Sequence, residues 1–95
     1  MSKIHLFVSV DIKAGKFDEF VSKLTDHVAI IRTEEGCEAI DIFAEGDNEN
    51  QVHLWEVWNN RAAWDAHMSN ANSAAWKEVA HDLVNGETIK VLRSI

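Results

Sequence analysis

The chain has 95 residues, enough for one hydrophobic core, so we expect a single domain over residues 1–95. Sixteen acidic and nine basic side chains give a net charge of −7, which disfavours nucleic acid as a partner because phosphate binding requires a positive surface. No apolar run approaches the roughly 18 residues of a membrane span, and the single cysteine, Cys37, fits a reducing compartment, so we expect a cytoplasmic protein without a membrane partner.

The first third of the chain predicts a strand followed by a helix. Residues 4–12 place an aliphatic side chain at every second position, which is typical of a strand with one buried face. After a turn at residues 13–16, apolar residues recur every three or four positions from Phe17 to Ile31. This spacing predicts a helix with one apolar stripe. Gly36 interrupts the pattern and is expected to terminate the helix.

The middle of the chain predicts a β-hairpin. Residues 37–44 and 51–58 have the composition of a second and a third strand. The polar residues 45–50 between them predict the hairpin loop.

The last third predicts an interrupted helix and a final strand. Asn59-Asn60 offers an N-cap for a short helix over 61–68. Residues 69–73 interrupt that helix, and a further helix is expected over about 73–84. Asn85-Gly86 would end it before a closing strand at 87–93.

The element order β-α-β-β-α-β predicts an α+β, ferredoxin-like fold whose second helix is split. Its four-stranded antiparallel sheet would carry both helices on one face. The other face would expose Phe7 together with Phe43 or Trp55, an aromatic surface that needs a cover. We therefore expect a homodimer through the sheet face, although a monomer with a partly solvated sheet is the alternative.

Metal and nucleophile motifs are absent from the sequence. The five histidines, at positions 5, 27, 53, 67 and 81, lack the short spacings of a structural zinc site, so we predict no metal. No glycine-rich phosphate-binding motif occurs. Cys37 lies among glutamates, which would raise the pKa of its thiol, so a structural role is favoured over nucleophilic catalysis.

Two histidines are candidate proton-transfer groups. His27 lies at the edge of the apolar stripe of the first helix, and His67 lies on the inner side of the short helix, near Trp64. Two imidazoles in one cavity would suit proton abstraction at neutral pH. The alternative is that they are hydrogen-bonded histidines at the margin of the core.

Tryptophan and Glu56 suggest a binding pocket. Four tryptophans in so short a chain, with Trp64 and Trp76 on the interrupted helix, favour a pocket for a flat aromatic ligand over ordinary core packing. Glu56, flanked by Trp55 and Val57, either faces solvent or is buried with a raised pKa.

Three segments resemble motifs of the antibiotic biosynthesis monooxygenase family, which includes quinol monooxygenases. They are the helix entry at 13–20, the turn at 32–37 (Arg-Thr-Glu-Glu-Gly-Cys), and Leu-Trp-Glu-Val-Trp at 54–58 followed by Ala-Trp-Asp-Ala-His at 63–67. The motifs are individually loose, but their order and spacing are specific, and the resemblance extends from about residue 4 to residue 93.

The resemblance implies a dimeric α/β barrel that oxygenates a quinol or similar aromatic without metal, flavin or haem. The substrate would be deprotonated in an apolar pocket, and its anion would pass an electron to O2. His27 and His67 would then be candidate bases, Trp64 and Trp76 pocket walls, and Glu56, which matches a recurrent family position, a substrate-binding residue.

The chain also departs from the family pattern. Ala14 and Glu35 replace two prolines of the motifs. The haem-degrading branch needs an Asn and a His where this chain has Val8 and Trp76, so haem degradation is disfavoured. Two alternatives to the monooxygenase remain: an isomerase of a small phosphorylated compound that uses His27 and His67 for proton transfer, and a non-catalytic dimeric ligand-binding protein.

Overall fold

A computed structural model describes residues 2–95, which form four strands and three helices. In chain order the elements are β1 Ile4–Ile12, α1 Phe17–Ile31, β2 Cys37–Glu45, β3 Asn48–Trp58, α2 Arg61–Ser69, α3 Ala71–His81 and β4 Val84–Leu92. The strands form one antiparallel sheet in the order β2-β3-β1-β4. The predicted ferredoxin-like α+β fold with a split second helix is confirmed.

The core lies between the sheet and the helices. Helix α1 buries Phe20, Leu24, Val28 and Ile31, the stripe that its sequence predicts. These side chains pack in one cluster with the alternate aliphatic residues of β1, from Leu6 to Ile12. Each fully buried aliphatic or aromatic side chain contributes about 1.5–3 kcal/mol of transfer free energy. The packing of α1 against β1 therefore stabilises the fold.

The hairpin between β2 and β3 is tighter than the sequence predicts. The strands continue to Glu45 and from Asn48, which leaves Gly46 and Asp47 as the turn in place of the expected loop over 45–50. Gly46 has φ +55°, a conformation that glycine adopts at no steric cost. The sequence does not predict strand at residues 45 and 48–50 because these residues are polar. They are polar because this end of the hairpin is exposed to solvent.

The break in the second helix is also shorter than predicted. It is confined to Asn70, which ends α2 and caps α3 by accepting a 2.8 Å hydrogen bond from the Ser73 backbone N–H. Asn60 caps α2 in the same way, as predicted, with a 2.9 Å bond from the Ala63 N–H.

The end of the second helix differs from the prediction too. Helix α3 stops at His81, and β4 begins at Val84, so Asn85 and Gly86 lie within the strand. Leu83 is buried at the connection, and its carbonyl accepts a 2.9 Å hydrogen bond from the Lys13 N–H. Because residues 84–86 pair with the end of β1, they form a strand where the sequence predicts the end of a helix and a turn.

The sheet face opposite the helices is aromatic and polar. The register aligns Phe7 with Trp55 and Phe43 with His53, so both aromatic residues considered for this face, Phe43 and Trp55, lie on it. The ring of His53 stacks on Phe7 with centroids 5.4 Å apart. Phe43 is 52% exposed. No helix within residues 2–95 is long and apolar enough to cross a membrane.

Candidate active site

A cavity of about 750 Å³ lies between the sheet and the three helices. Aliphatic side chains of β1 and α1 form its floor and one wall, and α2, α3 and the start of β4 form the rest. The five residues predicted for the site all line this one cavity: His27, Glu56, Trp64, His67 and Trp76. The fold therefore brings together groups from α1, β3, α2 and α3.

His67 is held from two directions. Its Nδ1 lies 2.7 Å from Oε1 of Glu34, and the two side chains are only 14% and 13% exposed. Its ring stacks on Trp58 with centroids 4.7 Å apart. The carbonyl of His67 also accepts a 2.6 Å hydrogen bond from the Ser73 hydroxyl, which ties the end of α2 to α3. These contacts fix the imidazole at the seam between helix and sheet.

Glu34 is the site residue that the sequence interpretation missed. It lies in the turn after α1, where its N–H donates to the Ile31 carbonyl and its own carbonyl accepts from the Cys37 N–H. Gly36, with φ +84°, lets this turn approach α2 so closely that a Cβ at Gly36 would overlap the Cβ of Ala63. The resemblance of residues 32–37 to a family motif was the available signal.

Glu56 and Trp58 lie on the helix-facing side of β3. Glu56 is 7% exposed, and its Oε1 accepts a 3.0 Å hydrogen bond from the Trp58 indole N–H. Burial raises the pKa of the Glu56 carboxyl, against the opposing effects of the indole and of His67. Trp58 thus contacts His67 with its ring face and Glu56 with its N–H.

His27 lies flat against Trp76. The two rings are 4.6 Å apart and within 6° of parallel, and Phe20 packs on the same indole at 5.8 Å. Burial lowers the pKa of His27, as does the nearby His67, while Glu34 acts in the opposite direction. Burial therefore favours the neutral form of the His27 imidazole.

Trp64 closes the cavity on the α2 side. It is 7% exposed, and the guanidinium of Arg61 lies 4.7 Å from the centroid of its ring. Within the described part of the chain, no three His, Cys, Asp or Glu side chains cluster in a way that could hold a metal ion. The imidazoles of His27 and His67 and the buried carboxyl of Glu56 thus lie together in a largely apolar cavity, an arrangement suited to proton transfer.

A sequence model of the family described as antibiotic biosynthesis monooxygenase matches residues 3–79. The chain belongs to this family. The match includes β1, α1, the hairpin, α2 and most of α3, and therefore every residue of the cavity named above.

Individual relatives are distant. An uncharacterized Synechocystis protein, sll1783, is 28% identical over 76 residues, which are 80% of this chain and 52% of that protein, so the chain spans about half the length of this curated relative. The crystal structure of PA3566 from Pseudomonas aeruginosa superposes with a TM-score of 0.92 at 19% identity and covers 100% of this chain and 96% of its own. A crystal structure described as an antibiotic biosynthesis monooxygenase has a TM-score of 0.88 at 19% identity and covers 97% of this chain and 98% of its own. At these identities the superpositions establish the fold alone.

Proposed function

We propose that the chain is a cofactor-independent monooxygenase that acts on a quinol or similar aromatic small molecule. The observation that carries the proposal is the convergence of His27, Glu56, Trp64, His67 and Trp76 on one apolar cavity. Family membership supports the reaction class, and the indole walls suit a flat aromatic substrate.

The proposed reaction begins with loss of a proton from a phenolic O–H or an acidic C–H of the substrate. An imidazole of the cavity, His67 or His27, accepts the proton, and the bonding pair stays on the substrate. The electron-rich anion then transfers an electron to O2, and the two radicals combine. One oxygen atom enters the product and the other leaves as water, so the substrate supplies all the electrons that O2 accepts. Exclusion of water by the apolar walls favours this sequence.

The working unit is proposed to be a homodimer through the sheet face opposite the helices. Phe7, Phe43 and Trp55 lie on that face, and Phe43 is 52% exposed. A second copy stacked on this face would bury these rings and close the barrel. Light scattering checks this directly, because a particle of one chain mass would contradict it.

The test of function is aerobic oxygen uptake with reduced menadiol or with an anthrone. We expect uptake by the wild-type protein, with an oxygenated product identified by mass spectrometry, and its loss in His67→Ala. Turnover of a phosphorylated compound without oxygen would instead support an isomerase. A change in tryptophan fluorescence on binding, without turnover of any aromatic compound tested, would support a ligand-binding protein.

A further inference from the structure

Of the two residues in the Glu34–His67 hydrogen bond, only His67 is in contact with the cavity. His67 lines the cavity, whereas Glu34 lies behind it, outside the lining. The bond engages Nδ1 of the imidazole, and Nε2 has no hydrogen-bond partner within residues 2–95. The ring therefore presents one engaged and one unengaged nitrogen.

A carboxylate at Nδ1 determines where a neutral imidazole carries its proton. Because an ionised carboxylate only accepts hydrogen bonds, the proton must lie on Nδ1, and the lone pair must lie on Nε2. We propose that Glu34 is a positioning residue that holds His67 in this tautomer, so that Nε2 is the proton acceptor of the cavity. This inference rests on the proposed function.

The second oxygen of Glu34 strengthens the argument. Oε2 is buried and has no hydrogen-bond partner in the described part of the chain. A buried carboxylate oxygen without a partner is costly, and a residue with only a packing role would avoid that cost. The interaction that the carboxylate does make, at 2.7 Å and largely shielded from solvent, is the bond to His67. Low exposure makes such a charge-assisted bond stronger than it would be in water.

The same pair would stabilise the product of the proton step. When a substrate O–H or C–H bond breaks, its electron pair stays on the substrate and its proton goes to Nε2, which leaves a positive imidazolium. Three titratable groups face that ring: Glu34 from the turn after α1, Glu56 from β3 and His27 from α1. Glu34 is the one in hydrogen-bond contact.

The neighbouring histidine is less suited to the same role. His27 stacks on Trp76, and no carboxylate within residues 2–95 is hydrogen-bonded to its ring. A charge on His27 would be disfavoured by burial and by a charge on His67. His67 is therefore the base, and His27 remains a neutral wall of the cavity.

Glu34→Gln and Glu35→Gln form a matched pair for the test. Both remove one negative charge, but Glu35 is exposed, one position further along the same turn. A glutamine amide can donate to Nδ1, which would move the ring proton to Nε2 and remove the acceptor. We expect kcat for menadiol oxidation to fall about 100-fold or more in Glu34→Gln, with KM changed less than about threefold, because general-base catalysis contributes on that scale. Glu35→Gln should retain wild-type kcat.

The tautomer itself can be measured without any turnover. Imidazole ¹⁵N chemical shifts, recorded on protein with ¹⁵N-labelled histidine at alkaline pH, where imidazoles are neutral, identify the protonated nitrogen. We expect the wild-type His67 and Glu35→Gln to carry the proton on Nδ1, and Glu34→Gln to lose that preference.

Two results would overturn the inference. One is a wild-type spectrum with the His67 proton on Nε2, which decides the matter even if Glu34→Gln does not fold. The other is a folded Glu34→Gln protein with the wild-type tautomer and wild-type kcat. Failure of the proposed function has a different signature: the wild-type protein would consume no oxygen, and the ¹⁵N spectrum would still decide whether Glu34 sets the tautomer.

Discussion

Two histidine–glutamate pairs lie on opposite faces of the same sheet, and their bond lengths are nearly equal. On the helix face, His67 and Glu34 are 2.7 Å apart, whereas on the open face His53 Nε2 lies 2.6 Å from Glu45 Oε1. Their surroundings differ. The Glu34 side chain is 13% exposed and that of Glu45 is 54% exposed. Distance alone therefore does not distinguish them.

The pairs also differ in what the second ring nitrogen does. Nδ1 of His53 lies 2.9 Å from the Ser9 hydroxyl, so both nitrogens of that ring are engaged. In His67 the Nε2 atom has no hydrogen-bond partner within residues 2–95. The open-face histidine is thus locked between two partners, while the cavity histidine retains one nitrogen for a ligand. Burial of the carboxylate and the unengaged nitrogen, more than the short bond, distinguish His67–Glu34 from His53–Glu45, and they are the reason for proposing a functional role for His67–Glu34 alone.

The largest expected effect comes from removing each imidazole in turn. His67→Ala should lower kcat for oxygen uptake about 100-fold or more, because it removes the proposed base. His53→Ala should leave kcat within about threefold of wild type, since that ring stacks on Phe7, on the face of the sheet opposite the cavity. Oxygen-electrode assays on both variants, after light scattering has established equal particle mass, make the comparison. Equal losses in the two variants would contradict the distinction between the pairs.

The turn that carries Glu34 can be tested with two glycines. Gly36 and Gly15 both have positive φ, +84° and +75°, but a Cβ at Gly36 would overlap Ala63, whereas nothing lies within 4 Å of one at Gly15. Gly15→Ala should cost about 1 kcal/mol of unfolding free energy from backbone strain alone, and Gly36→Ala about 2–4 kcal/mol because steric overlap is added. Urea unfolding measures both. Equal costs would show that the turn does not need its close approach to α2.

The buried carboxyl of the cavity gives a pH-dependent test. Burial raises the pKa of Glu56 above 4.5, so folding favours its protonated form. The stability contributed by that protonation is fully present below pH 4.5 and is lost as the pH rises through the folded-state pKa. Glu56→Gln should remove this decline. Unfolding free energies measured by urea at a series of pH values above 4 check it, with the exposed Glu78→Gln as control.

A matching pH profile in wild type and Glu56→Gln would assign the decline to another group. Loss of the decline in Glu78→Gln as well would show that net charge, and not the buried site, controls it.

Hydrophobic periodicity in the sequence correctly predicts those elements whose pattern lies within one segment of the chain. The alternation of β1 and the apolar stripe of α1 are complete within their own segments, and both elements have the expected bounds. Val84 behaves differently, because it is strand only by pairing with Ile12, far away in the chain. The sequence around residues 83–86 carries helix and turn signals, and distant pairing overrides them.

The residues of the candidate site also differ in whether local sequence or distant contacts determine their positions. His27 and His67 have positions on helical faces that periodicity can locate, and the cavity contains both. Glu34 lies in a turn without periodicity, and its partner is 33 residues away in sequence. Its burial depends on the approach of α2 over Gly36, which no local pattern encodes.

The smallest expected effect concerns the open-face pair. The hydrogen bond from His53 holds the pKa of Glu45 below 4.5, so this pair stabilises the fold above pH 4.5 and ceases to do so as the pH falls through the lowered folded-state pKa. Because the Glu45 carboxylate is solvated, Glu45→Gln should change the unfolding free energy only slightly at pH 7, and the difference from wild type should vanish in acid. Urea unfolding at both pH values makes the measurement. A loss at pH 7 as large as that of Gly36→Ala would show that the second copy of the proposed dimer also shields this pair from water.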